Sequence, residues 1–114
     1  MALGLFGLAQ IMKTKLTADC LKIGHTYQAR RPTRCPRVMG IAMVNDRQID
    51  WIDDRRTVVQ YDSPSLQTGR QLPIVPVERF LKWASHDVTD RMPKGLAWRP
   101  WSSFAAERHE KKSG

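Results

Sequence analysis

The fold is decided by residues 47–61, RQIDWIDDRRTVVQY. The first six of these residues alternate between polar and apolar side chains, which predicts a strand with Ile49 and Trp51 on one face. The polar residues 53–55 predict a turn, and the β-branched run 57–61 predicts a second strand. Because strands joined by tight turns pair antiparallel, this stretch predicts an antiparallel sheet.

Further strands flank this stretch on both sides. Residues 26–31 alternate in polarity, residues 38–44 are an apolar run that Gly40 allows to bend, and residues 72–75 form a short apolar segment. One helix follows, ending near residues 85–87, because four apolar residues recur at helical spacing. These residues are Val77, Phe80, Leu81 and Ala84.

These elements predict a mainly β fold. It is either a small SH3-like barrel or a bent antiparallel sheet of four to five strands, with one helix after the last strand. The alternative is an α+β fold, in which the helix packs on one face of an open sheet. Residues 72–80, LPIVPVERF, resemble the last strand and short helical turn of SH3-like barrels. In size and composition the chain resembles the small basic accessory proteins of phages and mobile elements.

The length of the chain indicates how many domains it forms, and its charge indicates what kind of partner it binds. A chain of 114 residues allows one domain. We predict an N-terminal extension (1–21), a small β-barrel-like domain (22–90) and a basic aromatic tail (91–114). The net charge is +8, with 19 Lys and Arg against 11 Asp and Glu, and the excess lies in residues 1–44 and 91–114. Such an excess of positive charge favours polyanionic partners.

Residues 30–37, RRPTRCPR, are the most informative local feature. The prolines stiffen the segment, and arginine guanidinium groups match the geometry of phosphates. We therefore predict a largely sequence-nonspecific nucleic-acid-binding protein, DNA or RNA, that contacts phosphates through this Arg/Pro loop. A solvated loop that only maintains solubility is the alternative. The predicted contact residues are Arg30, Arg31, Arg34, Arg37, Arg55, Arg56 and Arg70.

Three aromatic residues near the C-terminus, Trp98, Trp101 and Phe104, are spaced three apart. They would share one face of a helix over residues 102–111, with Pro100 in its first turn. They either dock back on the domain or form a partner-binding surface. The alternative function is accordingly a protein-interaction module or inhibitor that uses this tail or the barrel groove.

The chain has no nucleophile elbow, Walker loop or glycine-rich phosphate loop. We therefore predict no catalytic residue and no cofactor, with a small oligomeric enzyme as the alternative. The four aspartates in residues 46–54 lack the spacing of an EF-hand and are expected to form turns and pair with Arg47, Arg55 or Arg56. Cys20 and Cys35 lack zinc-site spacing, so we predict no metal. A disulfide would need their two segments to meet, and without a secretory signal pattern we predict reduced thiols.

The first eleven residues are uncharged and mostly apolar. A transmembrane helix needs about 20 apolar residues, and here Lys13 and Lys15 follow the apolar stretch rather than precede it. We therefore predict no membrane partner and a cytoplasmic protein. Self-association into a homo-oligomer is left open.

Overall fold

The computed structural model describes residues 16–38, 40–66 and 69–113, except for the side chains of 36–38 and 109–113. This part of the chain forms seven strands and two helices, with 3₁₀ turns at Ala18–Cys20 and Thr89–Arg91. The strands are β1 (Thr26–Ala29), β2 (Arg34–Val38), β3 (Ile41–Val44), β4 (Arg47–Ile52), β5 (Val58–Asp62), β6 (Ile74–Pro76) and β7 (Ala84–Asp87). The helices are α1 (Val77–Trp83) and α2 (Trp101–Ser113).

Five strands form one antiparallel sheet in the order β6-β5-β4-β1-β7, and β2 pairs with β3 in a separate hairpin. Within the described residues the sheet does not close, because β6 and β7 each pair with one neighbour. Helix α1 joins these two edge strands directly. The prediction of a mainly β fold is therefore confirmed, in the form of an open sheet rather than a closed barrel.

The main core lies between α1 and one face of this sheet. Phe80 of α1 is fully buried, and its ring lies 5.7 Å from that of Tyr27 in β1 and 6.0 Å from that of Tyr61 in β5. Ile49 and Val59 are equally buried in the same cluster. The core therefore combines the apolar faces that the alternating strands and the helical spacing predict.

The C-terminal segment packs against the β2–β3 hairpin. The Val44 amide donates to the Arg99 carbonyl at 3.0 Å, and Met43 forms an isolated antiparallel bridge with Pro100. Gly40 makes the hairpin turn with φ of +83°, a conformation that costs glycine little. Backbone pairing thus attaches the segment predicted as an aromatic tail to β3.

Three local predictions are wrong. Residues 34–37 of the predicted Arg/Pro loop (30–37) belong to the strand β2, and Pro36 lies inside it, which is tolerated because β2 pairs on one side only. The helix ends at Trp83, and residues 84–87 form β7, because the free edge of β1 provides hydrogen-bond partners there. A register shift between Ile49 and Trp51 leaves Trp51 44% exposed instead of beside Ile49.

The predicted N-terminal extension lies mostly outside the described residues. Of the part that is described, Leu21 is buried in the main core, and Leu16 and Ala18 pack against it. No helix in the described ranges combines the length and apolar character needed to cross a membrane.

Candidate functional site

The arginines predicted to bind phosphate lie at different ends of the sheet. Tyr27 in β1 is opposite Arg47 at the start of β4, and the two strands are antiparallel. Arg30 therefore lies beyond the start of β4, whereas Arg55 and Arg56 lie in the turn beyond its end. Because each strand residue advances the chain by about 3.4 Å, these two ends are roughly 17 Å apart. The structure does not bring Arg55 and Arg56 together with Arg30.

Arg56 is engaged within the fold. Its guanidinium donates to the carbonyl of Ala18 at 2.8 and 3.0 Å and also to the carbonyl of Leu21. Its backbone has φ of 57°, in the left-handed region. Arg56 therefore ties the N-terminal 3₁₀ turn to the β4–β5 turn. Arg55 and Arg70 are exposed on turns.

Arg30 is held in one orientation at the other end of the sheet. Its Nε donates to the Ala84 carbonyl at 3.1 Å, and its Nη2 donates to the Leu81 carbonyl at 3.2 Å. The Arg30 amide also donates to the Trp83 carbonyl at 2.8 Å. Nη1 has no partner among the described residues and is left available.

A basic cavity of about 260 Å³ lies next to Arg30. Gln28 of β1 and His86 of β7, which are opposite each other across the strand pair, line it from the sheet. The remaining lining residues come from three other segments, and four of them are arginines. They are Arg30, Pro32, Arg91, Arg99, Phe104, Glu107 and Arg108.

Arg99 is the buried arginine of this cavity. Its Nε donates to Oδ2 of Asp46 at 2.7 Å, and its Nη2 donates to Oδ1 of Asp46 at 2.8 Å and to Oε1 of Gln28 at 3.1 Å. The sequence predicts Asp46 in a turn, paired with Arg47, Arg55 or Arg56, and this predicted pairing is wrong. The only sequence signal was an arginine flanked by Trp98, Pro100 and Trp101, which is an apolar setting for a charge.

A second cavity, of about 330 Å³, shares Arg30 with the first. Arg31, Lys82, Ala29 and Trp83 line the rest of it. The two cavities meet at Arg30, and we refer to them together as the basic groove. Its exposed basic side chains are Arg30, Arg31, Lys82, Arg91 and Arg108.

The basic groove keeps most of its positive charge. Arg91 lies 3.7 Å from Glu107, but both side chains are more than half exposed, so this ion pair is weak. Arg108 lies over the Phe104 ring at 5.5 Å. In the described part of the chain, Arg30, Arg31, Lys82 and Arg108 have no acidic partner.

The aromatic residues of the C-terminal segment are divided between interior and surface. Trp98 and Phe104 are buried, which matches the first of the two predicted outcomes, docking on the domain. Trp101 is half-buried and lines a third cavity, of about 440 Å³, with Arg34 and Ile41. The side chain of Arg37 is outside the described residues.

Arg47 makes cation–π contacts that the sequence does not predict. Its guanidinium lies between two aromatic rings, 4.2 Å from the centroid of Tyr61 and 4.1 Å from that of Trp83. Burial lowers the pKa of this guanidinium. Asp53, one of the aspartates expected to pair with it, instead accepts hydrogen bonds from Thr57 and Val58, so that expected pairing is wrong.

Both cysteines are free thiols. Hydrogen bonding from Thr17 lowers the pKa of Cys20, while burial raises the pKa of Cys35. Among the residues with described positions, no group of three His, Cys, Asp or Glu side chains is arranged to hold a metal ion.

No protein-family model, curated protein or solved structure matches this chain. The resemblances to SH3-like barrels and to accessory proteins of mobile elements therefore stay predictions.

Proposed function

We propose that this protein is a cytoplasmic nucleic-acid-binding accessory protein that contacts the phosphate backbone with little sequence preference. The observation that carries the proposal is the position of Arg30, which lines both cavities and joins Arg31 and Lys82 on one side to Arg91 and Arg108 on the other. The proposed binding surface is therefore the basic groove, to which residues distant in the sequence contribute, rather than the predicted Arg/Pro loop alone.

The fixed orientation of Arg30 supports this function. Hydrogen bonds to the carbonyls of Leu81 and Ala84 hold its guanidinium, so little side-chain entropy is lost when Nη1 meets a phosphate oxygen. Carbonyl acceptors leave its positive charge uncompensated. A phosphate placed in the groove would release counterions from the nucleic acid, which gives an affinity independent of base sequence.

The test is fluorescence anisotropy with labelled 20-nucleotide single strands and duplexes, of DNA and of RNA, at 50 and 200 mM KCl. Four groove side chains without acidic partners correspond to about four phosphate contacts. Duplex affinity should then fall roughly 100-fold between the two salt concentrations. Scrambling the base sequence should change the affinity by less than about threefold. Failure of every probe to bind at 50 mM KCl would show the proposal to be wrong.

A matched pair of variants tests the place of binding. Arg31→Glu reverses one charge in the groove, and Arg55→Glu makes the same reversal at the opposite end of the sheet. Both arginines are exposed, and neither side chain makes a hydrogen bond to the residues that the structure describes. Arg31→Glu should weaken binding at least about tenfold at 50 mM KCl, and Arg55→Glu should have a much smaller effect. Equal losses would indicate attraction by net charge without a site.

The second candidate function is the predicted protein-interaction module. It is favoured by the third cavity, where half-buried Trp101 lies beside Ile41, which is 43% exposed. Trp101→Ala should abolish capture of a protein partner, while Trp51→Ala removes an exposed tryptophan on the sheet and serves as the control. Truncating the chain before residue 91 is not a usable test, because it removes Arg99 and leaves Asp46 buried without its counter-ion.

A further inference from the structure

The cavity lined by Gln28 and His86 differs from the rest of the basic groove, because a buried arginine lies behind it. Arg99 is only 5% exposed, and Asp46 and Gln28 occupy its Nε and Nη2. Nη1 has no partner among the described residues. Arg99 lines the cavity, and Nη1 is the guanidinium nitrogen that makes no hydrogen bond in the described ranges.

Arg30 also lines this cavity, and the same atom of its guanidinium is free of a hydrogen bond among the described residues. Its Nε and Nη2 are occupied by carbonyls, and its Nη1 is unpartnered in the described structure. The cavity is therefore lined by two arginines whose orientations are fixed and which each keep one donor nitrogen. Arg91 and Arg108, both exposed, provide two further guanidinium groups.

The charge of the cavity is close to two positive units. Asp46 balances Arg99, and Glu107 faces Arg91 at 3.7 Å, whereas Arg30 and Arg108 have no acidic partner in the described ranges. A phosphate monoester carries about −1.5 to −2 at neutral pH and offers three free oxygens. A phosphodiester within a strand carries one negative charge and offers two. Charge and donor number both favour the monoester.

We propose that this cavity binds a terminal phosphate monoester of a nucleic-acid strand. The inference rests on the proposed function, since the strand itself would lie along the rest of the groove past Arg31 and Lys82. The cavity volume, about 260 Å³, is several times the roughly 30 Å³ of one water molecule in the liquid. It therefore has room for the phosphate group and retained water.

The experiment compares four labelled 20-nucleotide single strands of identical sequence. One ends in a 5′-phosphate and is labelled at its 3′ end, and one ends in a 3′-phosphate and is labelled at its 5′ end. The other two are their controls, with the same label positions and a hydroxyl group in place of the phosphate. One phosphorylated strand should bind at least about tenfold more tightly than its hydroxyl control at 150 mM KCl. Inorganic phosphate should reduce this preference, compared with potassium chloride at equal ionic strength.

Two variants test whether the preference for a terminal phosphate arises in this cavity, and neither alters the buried ion pair of Arg99 and Asp46. Arg108→Gln removes an exposed arginine of this cavity and should bring the ratio of the phosphorylated to the hydroxyl affinity close to one. Arg31→Gln removes a groove arginine that lines only the other cavity, so it should weaken all strands and leave the ratio unchanged.

The outcomes separate the two proposals. Equal affinity for phosphorylated and hydroxyl strands, or a ratio that Arg108→Gln leaves unchanged, would overturn the terminal-phosphate site while the groove proposal stands. Absence of binding by all the strands, even at 50 mM KCl, would overturn both.

Discussion

Arg99 and Asp46, which are 53 positions apart, form a two-point ion pair with N–O distances of 2.7 and 2.8 Å. Their side chains are 6% and 0% exposed. The pair joins the C-terminal segment to the turn between β3 and β4, and Gln28 adds a hydrogen bond from β1. It also fixes the buried arginine behind the basic cavity, so the same contact stabilises the fold and shapes the proposed site.

Removal of one partner of this pair should be strongly destabilising. Arg99→Met leaves the Asp46 carboxylate buried without a counter-ion, which should lower the free energy of unfolding by about 3–5 kcal/mol. Urea unfolding followed by far-UV circular dichroism measures this. The double variant Asp46→Leu with Arg99→Met removes both charges and should recover most of the loss. A double variant no more stable than Arg99→Met would contradict this explanation.

Two aromatic residues should differ sharply in their contribution to stability. Phe80 is fully buried between α1 and the sheet, and Phe80→Ala should cost about 3–5 kcal/mol of unfolding free energy. Trp51 is 44% exposed beyond the register shift in β4, and Trp51→Ala should cost about 1 kcal/mol or less. Thermal and urea unfolding of both variants would test this. Equal losses would show that Trp51 is a core residue, as the alternating sequence predicts.

Arg56 should affect stability rather than binding. Arg56→Ala and Arg56→Gly both lose the hydrogen bonds to Ala18 and Leu21, but only glycine adopts φ near 57° without strain. Arg56→Ala should therefore be less stable than Arg56→Gly by about 1 kcal/mol. If either variant remains folded yet loses nucleic-acid affinity as severely as Arg31→Glu, Arg56 belongs to the binding site.

Asp87 should make the fold sensitive to acid. Burial alone would raise the pKa of this carboxyl, but hydrogen bonds from Thr89 and His25 outweigh burial and lower it. A carboxyl whose pKa is lower in the folded state than in the unfolded state, where it is about 3.9, stabilises the fold at pH values above the unfolded-state pKa. This stabilisation is lost as the pH falls through the folded-state pKa. The stabilisation by Asp87 should therefore be lost below about pH 4.

The measurement for Asp87 is urea unfolding of the natural chain and of Asp87→Asn between pH 3 and 6. The natural chain should be more stable at pH 5–6, and the difference should shrink below about pH 4, where both the folded and unfolded carboxyls take up protons. A difference that stays constant over this range would show that the hydrogen bonds to Asp87 do not depend on its charge.

Local patterns in the sequence are sufficient to predict most strands of the sheet. Alternating polarity predicted β4 and β5, and helical spacing placed Val77 and Phe80 on the buried face of α1. The helix predicted over residues 102–111 lies within α2. These features depend on periods of two to four residues, which the chain displays directly.

Strand β7 and the β2–β3 hairpin form because their backbones pair with other strands, which local sequence patterns do not show. Ala84 continues the apolar stripe of α1, yet it is Cα-paired with Ala29 because the edge of β1 offers backbone partners. Segment 34–38 reads as a basic, proline-containing loop, but it pairs with β3. In both cases backbone hydrogen bonds between distant residues outweigh local propensity, as is common for strands.

The amino-acid sequence is enough to predict a mainly β domain and to show a strong positive charge and an arginine-rich segment beginning at Arg30. Tertiary structure alone decided that Arg30 joins Arg91 and Arg108, that Arg56 is used inside the fold, and that Asp46 is buried against Arg99. Charge carries no periodic pattern, and a guanidinium can donate to a carbonyl, a carboxylate or a phosphate. Which acceptor it meets depends on contacts across 35 to 71 positions of the chain, and only the folded backbone fixes these.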